Sequence, residues 1–131
     1  MKSTSQWIQG VQSVVDNDRG HEVTIDLPPG QGGGDTGATA LELAVMGLSG
    51  CVGTIFASVA KNSSFSFEAM RVVVTADKGE RTIETAGIKV YIKTDDEKKA
   101  ARLLDKTMAI CPVGILFEQG GVKMDLELIC E

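Results

Sequence analysis

From Leu43 to Ala60 the chain runs for 18 residues without a charge, and this run constrains the fold more than any other feature. It reaches the lower limit of length for a membrane span. It also holds Gly47, Gly50, Gly53, Ser49, Thr54, Ser58 and Cys51, and the rest of the chain has the alternation of water-facing strands. The reading is therefore a buried helix over Thr39–Lys61, with no membrane as partner. Leu43, Val45, Met46, Leu48, Val52, Ile55, Phe56 and Val59 surround the helix axis instead of forming one stripe, which predicts burial on every side. A chain of 131 residues has the length of a single domain, 1–131. One such domain can hardly cover the helix; a second subunit can. Gly47, Gly50 and Gly53 then offer a small-residue face where two helices cross, or they fit against the chain's own sheet.

The flanks read as short elements. Ser5–Val15 and His21–Leu27 are predicted to be two strands around the turn Asp16–Gly20, with His21, Val23, Ile25 and Leu27 in one phase. His21 is accordingly expected to be partly buried, and Trp7 and Tyr91 to be packing residues. Pro28–Gly37 (PPGQGGGDTG) breaks regular structure. It lacks the Gly-Lys-Ser/Thr ending and the G-x-G-x-x-G spacing of phosphate loops and reads as a flexible connector. Met70–Asp77 and Thr82–Thr94 form a second strand pair. Thr94-Asp95-Asp96-Glu97 has the form of a capping box opening a helix from Asp95 to about Ile110, which Pro112 ends. A short helical turn follows near Ile115–Gln119. The last strand, Val122–Cys130, sets Val122, Met124, Leu126, Leu128 and Cys130 on one face. The order ββ, α, ββ, α, β implies an α+β fold with antiparallel sheets.

Composition narrows the function classes. A formal charge of −5, with Lys and Arg interleaved among Asp and Glu, leaves no basic field for a polyanion, so nucleic acid is not an expected partner. Hydrophobic content of 43% excludes wholesale disorder, and aromatics at 5% require a core of Val, Leu, Ile, Met and Ala. Met1–Gly10 lacks the features of a signal peptide, so a cytoplasmic location is expected. Three cysteines then read as free thiols. With one histidine and no close Cys-x-x-Cys pair, a zinc site lacks ligands, and no cofactor is expected. Any cysteine chemistry should be redox or nucleophilic.

Two cysteine contexts carry more information than composition. Thr39–Cys51 reads T-A-L-E-L-A-V-M-G-L-S-G-C, and Lys106–Val113 reads K-T-M-A-I-C-P-V. Together they resemble the OsmC/Ohr family, in which an E-L-x-x-x-x-L-x-x-C helix carries the peroxide-attacking cysteine and a Cys-Pro-Val near the end of the second helix carries the resolving one. Arg19–Gly37 (RGHEVTIDLPPGQGGGDTG) also looks like that family's hairpin and connector.

The resemblance implies antiparallel sheets wrapped around central buried helices in an intertwined homodimer. It implies a peroxidase acting on organic hydroperoxides or hydrogen peroxide, with Cys51 as nucleophile and Cys111 as resolving thiol. An external dithiol, of the lipoyl type in this family, is the implied reductant. Burial disfavours the thiolate that must attack, so a cation is required nearby. The start of the helix cannot supply it, because Cys51 lies about 12 residues in, roughly 18 Å along the axis. Arg19 is the candidate by analogy with the family's hairpin arginine, delivered by the other subunit. Glu42 resembles the helix-entry glutamate that orients this arginine. It stands nine residues before Cys51, a spacing that resembles that of a less characterised OsmC-like branch, whereas the typical peroxidase spacing is ten. The competing reading is a redox-inactive dimer of the same fold that binds a small apolar ligand or a protein partner.

Overall fold

Gly10 adopts the left-handed conformation, φ 51°, and splits the first expected strand in two. The computed structural model, which describes all 131 residues, has β1 at Thr4–Gln9, β2 at Gln12–Asp16 and β3 at Glu22–Ile25, paired antiparallel in that order. The expected single strand Ser5–Val15 is thus corrected to a tight hairpin, and the N-terminal hairpin to a three-stranded meander. The Trp7 indole N–H closes the turn by donating to the Gly10 carbonyl at 2.9 Å. Trp7 is 69% exposed rather than packed, because this sheet has no second layer within its own unit. His21 is exposed as well. It falls in the turn ahead of β3, outside the alternation that made it inward, and its Nδ1 lies 3.0 Å from Asn17 Nδ2.

The chain forms two compact units, Met1–Ala44 and Val45–Glu131. In the first, the glycine-rich segment is tied rather than loose. A single 3-10 turn covers Pro29–Gln31, and the Asp26 carboxylate, 2% exposed, accepts from the backbone N–H groups of Leu27, Gly34 and Thr36 and from the Thr36 hydroxyl at 2.6 Å. Gly33 lies so close to the Leu27 carbonyl that a Cβ would overlap it. The hydrogen bonds from Thr36, then those from Leu27 and Gly34, outweigh burial and hold the Asp26 carboxyl down at about 2.

The second unit is built on β4 (Ala69–Lys78), β5 (Ile83–Lys93) and β6 (Lys123–Cys130), in the order β4-β5-β6. The strand boundaries fall within a residue or two of the sequence reading. β4 and β5 are antiparallel, but β6 runs parallel to β5, from Thr85 opposite Lys123 to Ile92 opposite Cys130. This corrects the expectation of purely antiparallel sheets. The connection contains α2 (Glu97–Ile110) and α3 (Pro112–Gln119), which makes it long enough for a parallel crossover. The cap of α2 is Asp96, whose carboxylate accepts from Lys99 N–H at 3.0 Å. Thr94 acts earlier, accepting from Asp96 N–H, so the expected start at Asp95 moves two residues on.

The long helix is α1, Ala40–Asn62. Only one stripe of it is buried, comprising Leu48, Val52, Phe56, Val59 and Ala60, the i, i+4, i+8 spacing of an amphipathic helix. A single chain leaves the rest of the helix uncovered, as the length of one domain predicts: Met46 is 55% exposed, and a Cβ at Gly47 or Gly50 would meet nothing within 4 Å. One small sheet and two short helices have only enough apolar surface for one face. Of the three glycines, Gly53 alone faces the chain's own sheet, where an added Cβ would stand 3.8 Å from Met70 Cε and Val72 Cγ2.

The stripe joins Ile88, Val90 and Ile92 of β5 and Ala100, Leu103 and Leu104 of α2 in one core. Phe56 is its centre, fully buried, with Phe65 and Phe67 edge-on at centroid distances of 6.3 and 5.7 Å. Truncating this ring removes both the transfer free energy and the aromatic contacts. Phe56→Ala should lower the stability read from urea unfolding by about 3–5 kcal/mol. Asp26 generates a separate expectation. Its folded carboxyl titrates at about 2 against an ordinary 3.8, so the unfolded chain binds the proton more readily. Its stabilisation is complete above about pH 4 and is lost as pH falls toward 2. Urea midpoints measured through that window should fall less for Asp26→Asn than for the unsubstituted protein.

Candidate active site

Cys111 owes its position to Pro112. The proline excludes its predecessor from the helical region, and Cys111 takes φ −66°, ψ 109°. This one residue ends α2, with its N–H donating to the Thr107 carbonyl at 2.8 Å, and also begins α3 as its N-cap. Pro112 fills the first position of α3, where a missing N–H costs nothing. The Cys111 sulfur plays the part of an N-cap oxygen, accepting from Gly114 N–H at 3.4 Å. The side chain is fully buried.

Cys51 sits on the flank of the α1 stripe, half-buried, beside the fully buried Val52. Its sulfur lies 2.9 Å from that of Cys111, and the hydrogen bond runs from the Cys111 S–H to Cys51 Sγ. Both thiols are free. A disulfide S–S bond is about 2.05 Å, so bond formation needs a closure of roughly one ångström. Burial, and after it the Cys51 sulfur, push the Cys111 thiol up, while the amides of Gly114 and Val113 act in the opposite direction. The pair therefore consists of a buried sulfur that holds its proton and a half-exposed sulfur that receives a hydrogen bond.

The other candidates are placed differently. Arg19 is exposed at the tip between β2 and β3, its backbone N–H donating to Asn17 Oδ1. Glu42 is exposed in the first turn of α1, its N–H donating to Thr39 Oγ1 at 3.1 Å. Both belong to the unit Met1–Ala44, and neither takes part in the ion pairs, which join Lys2 to Asp18, Lys89 to Glu127 and Lys93 to Glu68. Cys130, in β6, packs against the core as expected, and its thiol is pushed up by burial and then by the charge of Glu97. Gly114 escaped the sequence reading. The signal was present in Cys-Pro-Val-Gly: a cap residue, a proline at the first helical position, and a third position whose N–H is free.

Comparison with solved structures places this arrangement among known folds. An OsmC-like protein from Mycoplasma pneumoniae superposes with a TM-score of 0.85 at 13% identity, covering 98% of this chain and 95% of the other. An organic hydroperoxide resistance protein from Elizabethkingia anophelis, with crystallant-derived thiocyanate bound, gives 0.79 at 20% identity, with coverages of 98% and 94%. A putative organic hydroperoxide resistance protein from Vibrio cholerae O1 biovar eltor str. N16961, with captopril bound in one of its active sites, gives 0.75 at 18%, with coverages of 98% and 91%. At these identities the likeness concerns the fold. No curated protein matches the chain by sequence. The family model for OsmC-like protein matches residues 32–127, a span that includes both members of the sulfur pair and most of the elements that bring them together, and the chain belongs to the OsmC-like family.

Proposed function

We propose that this chain is a thiol-dependent peroxidase that reduces organic hydroperoxides or hydrogen peroxide through a two-cysteine cycle. The observation that carries the reading is the 2.9 Å separation of the Cys51 and Cys111 sulfurs. Two thiols 60 residues apart in sequence have no structural need to meet in a reduced pair; a cycle that alternates thiols with a disulfide requires it. The solved hydroperoxide resistance proteins of the same fold support the substrate class.

The Cys51 thiolate attacks one oxygen of the peroxide. The O–O bond breaks, its electron pair leaves with the distal oxygen as alkoxide or hydroxide, which takes a proton, and Cys51 becomes a sulfenic acid. Cys111 then attacks the Cys51 sulfur, water leaves, and the disulfide forms. Two thiols have lost two electrons and the peroxide has gained them. The asymmetry of the pair fits this order. The half-exposed sulfur meets the peroxide, and the buried thiol waits protonated until a sulfenic acid stands beside it.

In this reading Arg19 is the cation that favours the Cys51 thiolate, and Glu42 orients it, both within a homodimer whose second copy covers the open face of α1. Met46, Gly47 and Gly50 on that face support the dimer, since an apolar helix face of this kind calls for a partner. The reductant is an external dithiol of the lipoyl type, and the cytoplasm is the expected compartment.

Stoichiometry and variants test the proposal. Reduced protein mixed with cumene hydroperoxide should consume one peroxide and lose two thiols per chain. Cys51→Ser should slow peroxide consumption at least about a thousandfold, the scale of losing a covalent nucleophile. Cys111→Ser should complete a single turnover and accumulate a dimedone-reactive sulfenic acid. Full activity in Cys51→Ser would defeat the proposal, and thiols inert to peroxide in the folded protein would favour a redox-inactive dimer that binds a small apolar ligand or a protein partner.

A further inference from the structure

The cycle just proposed, on which this inference rests, requires the Cys51–Cys111 disulfide to be reopened, and the two sulfurs are not equivalent for that step. Thiol–disulfide exchange is a displacement along the S–S axis. The incoming thiolate must reach the attacked sulfur from the side opposite its partner, and the departing sulfur must carry the negative charge.

Access favours one end. Cys111 is fully buried, and the space around Gly114 is already bounded by Met108 Cε and by the Cys111 side chain itself. Cys51 is half-exposed, so an incoming sulfur can reach it where it cannot reach the enclosed Cys111.

Burial disfavours charge on the departing Cys111 sulfur, and a donor already directed at that sulfur opposes this. Cys111 caps α3, with Gly114 N–H already directed at its sulfur, at the end of a helix where the free amides favour an anion. Cys51 lies mid-helix in α1, where backbone N–H groups are committed to the helix, and its one hydrogen bond comes from Cys111.

We propose that the reductant enters at Cys51 and that Cys111 is the leaving thiolate. The reductant's first thiolate attacks Cys51 Sγ, a bond forms between those two sulfurs, and the Cys51–Cys111 bond breaks with its electron pair going to Cys111. Gly114 N–H holds that thiolate until it takes a proton. Burial favours this protonation and so retards its return. The dithiol's second thiolate then attacks its own sulfur in the mixed disulfide and expels Cys51. The dithiol has become a disulfide, losing two electrons and two protons; the protein pair has gained them. Gly114 is a positioning residue for this half of the cycle. Cys51 is the one entrance for both peroxide and reductant, so the two exclude each other.

The test needs no variant. The disulfide form is prepared with diamide, mixed with about one equivalent of N-acetylcysteine, a monothiol with no second sulfur to expel the protein thiol intramolecularly, quenched early with acid, and mapped by peptide mass spectrometry. The expected result is at least about tenfold more adduct on the Cys51 peptide than on the Cys111 peptide. Equal labelling, or a majority on Cys111, overturns the inference. A disulfide formed by diamide but not by peroxide would remove the peroxidase reading while leaving the adduct map decisive for the entry site. No Cys51–Cys111 disulfide with either oxidant would overturn both.

Discussion

Everything chemical in this molecule depends on a backbone break between two helices. Were the chain helical through position 111, α2 would carry that side chain around its axis with the rest of the turn. Pro112 prevents this and sets Cys111 in extended geometry, φ −66° and ψ 109°. The same residue closes one helix, opens the next and delivers its sulfur to α1. The position is then held by packing: Thr107 beneath it is fully buried, with its hydroxyl donating to the Leu103 carbonyl at 2.8 Å, and Val52 fixes the turn of α1 that carries Cys51.

The contact gives the pair its direction. A symmetric pair of exposed thiols would oxidise with equal readiness at either sulfur. Here one sulfur is enclosed, protonated and aimed, and the other is half-open and receives the hydrogen bond. This division of labour follows from which side of a helix boundary each cysteine occupies.

Much of the second unit was legible in the sequence, because β-branched alternation marks strands such as Ala69–Lys78 and Ile83–Lys93 strongly, and inward positions such as Leu126 and Leu128 follow from period two. The parallel pairing of β5 and β6 was not legible, since alternation looks the same in either direction and only the length of the crossover distinguishes them. The turn at Gly10 was missed because its flanks both alternate as strand. Asp26 gave no signal: a single acid before two prolines does not announce that it will hold four donors from its own side and from eight and ten residues on. The pairing of Cys51 with Cys111 came from resemblance, not from spacing, and so did the parts given to Arg19 and Glu42. That one chain covers only a single stripe of α1 was legible too, because residues surrounding the axis exceed the apolar surface one small domain supplies.

The central claim is that one particular pair of the three cysteines is built to join. Three thiols allow three intramolecular pairings. Titrating the folded, reduced protein with one equivalent of hydrogen peroxide and identifying the linked peptides distinguishes them. The account expects the Cys51–Cys111 linkage as the sole intramolecular product, with Cys130 still a thiol. Linkages to Cys130, or bonds formed only between chains, would contradict it.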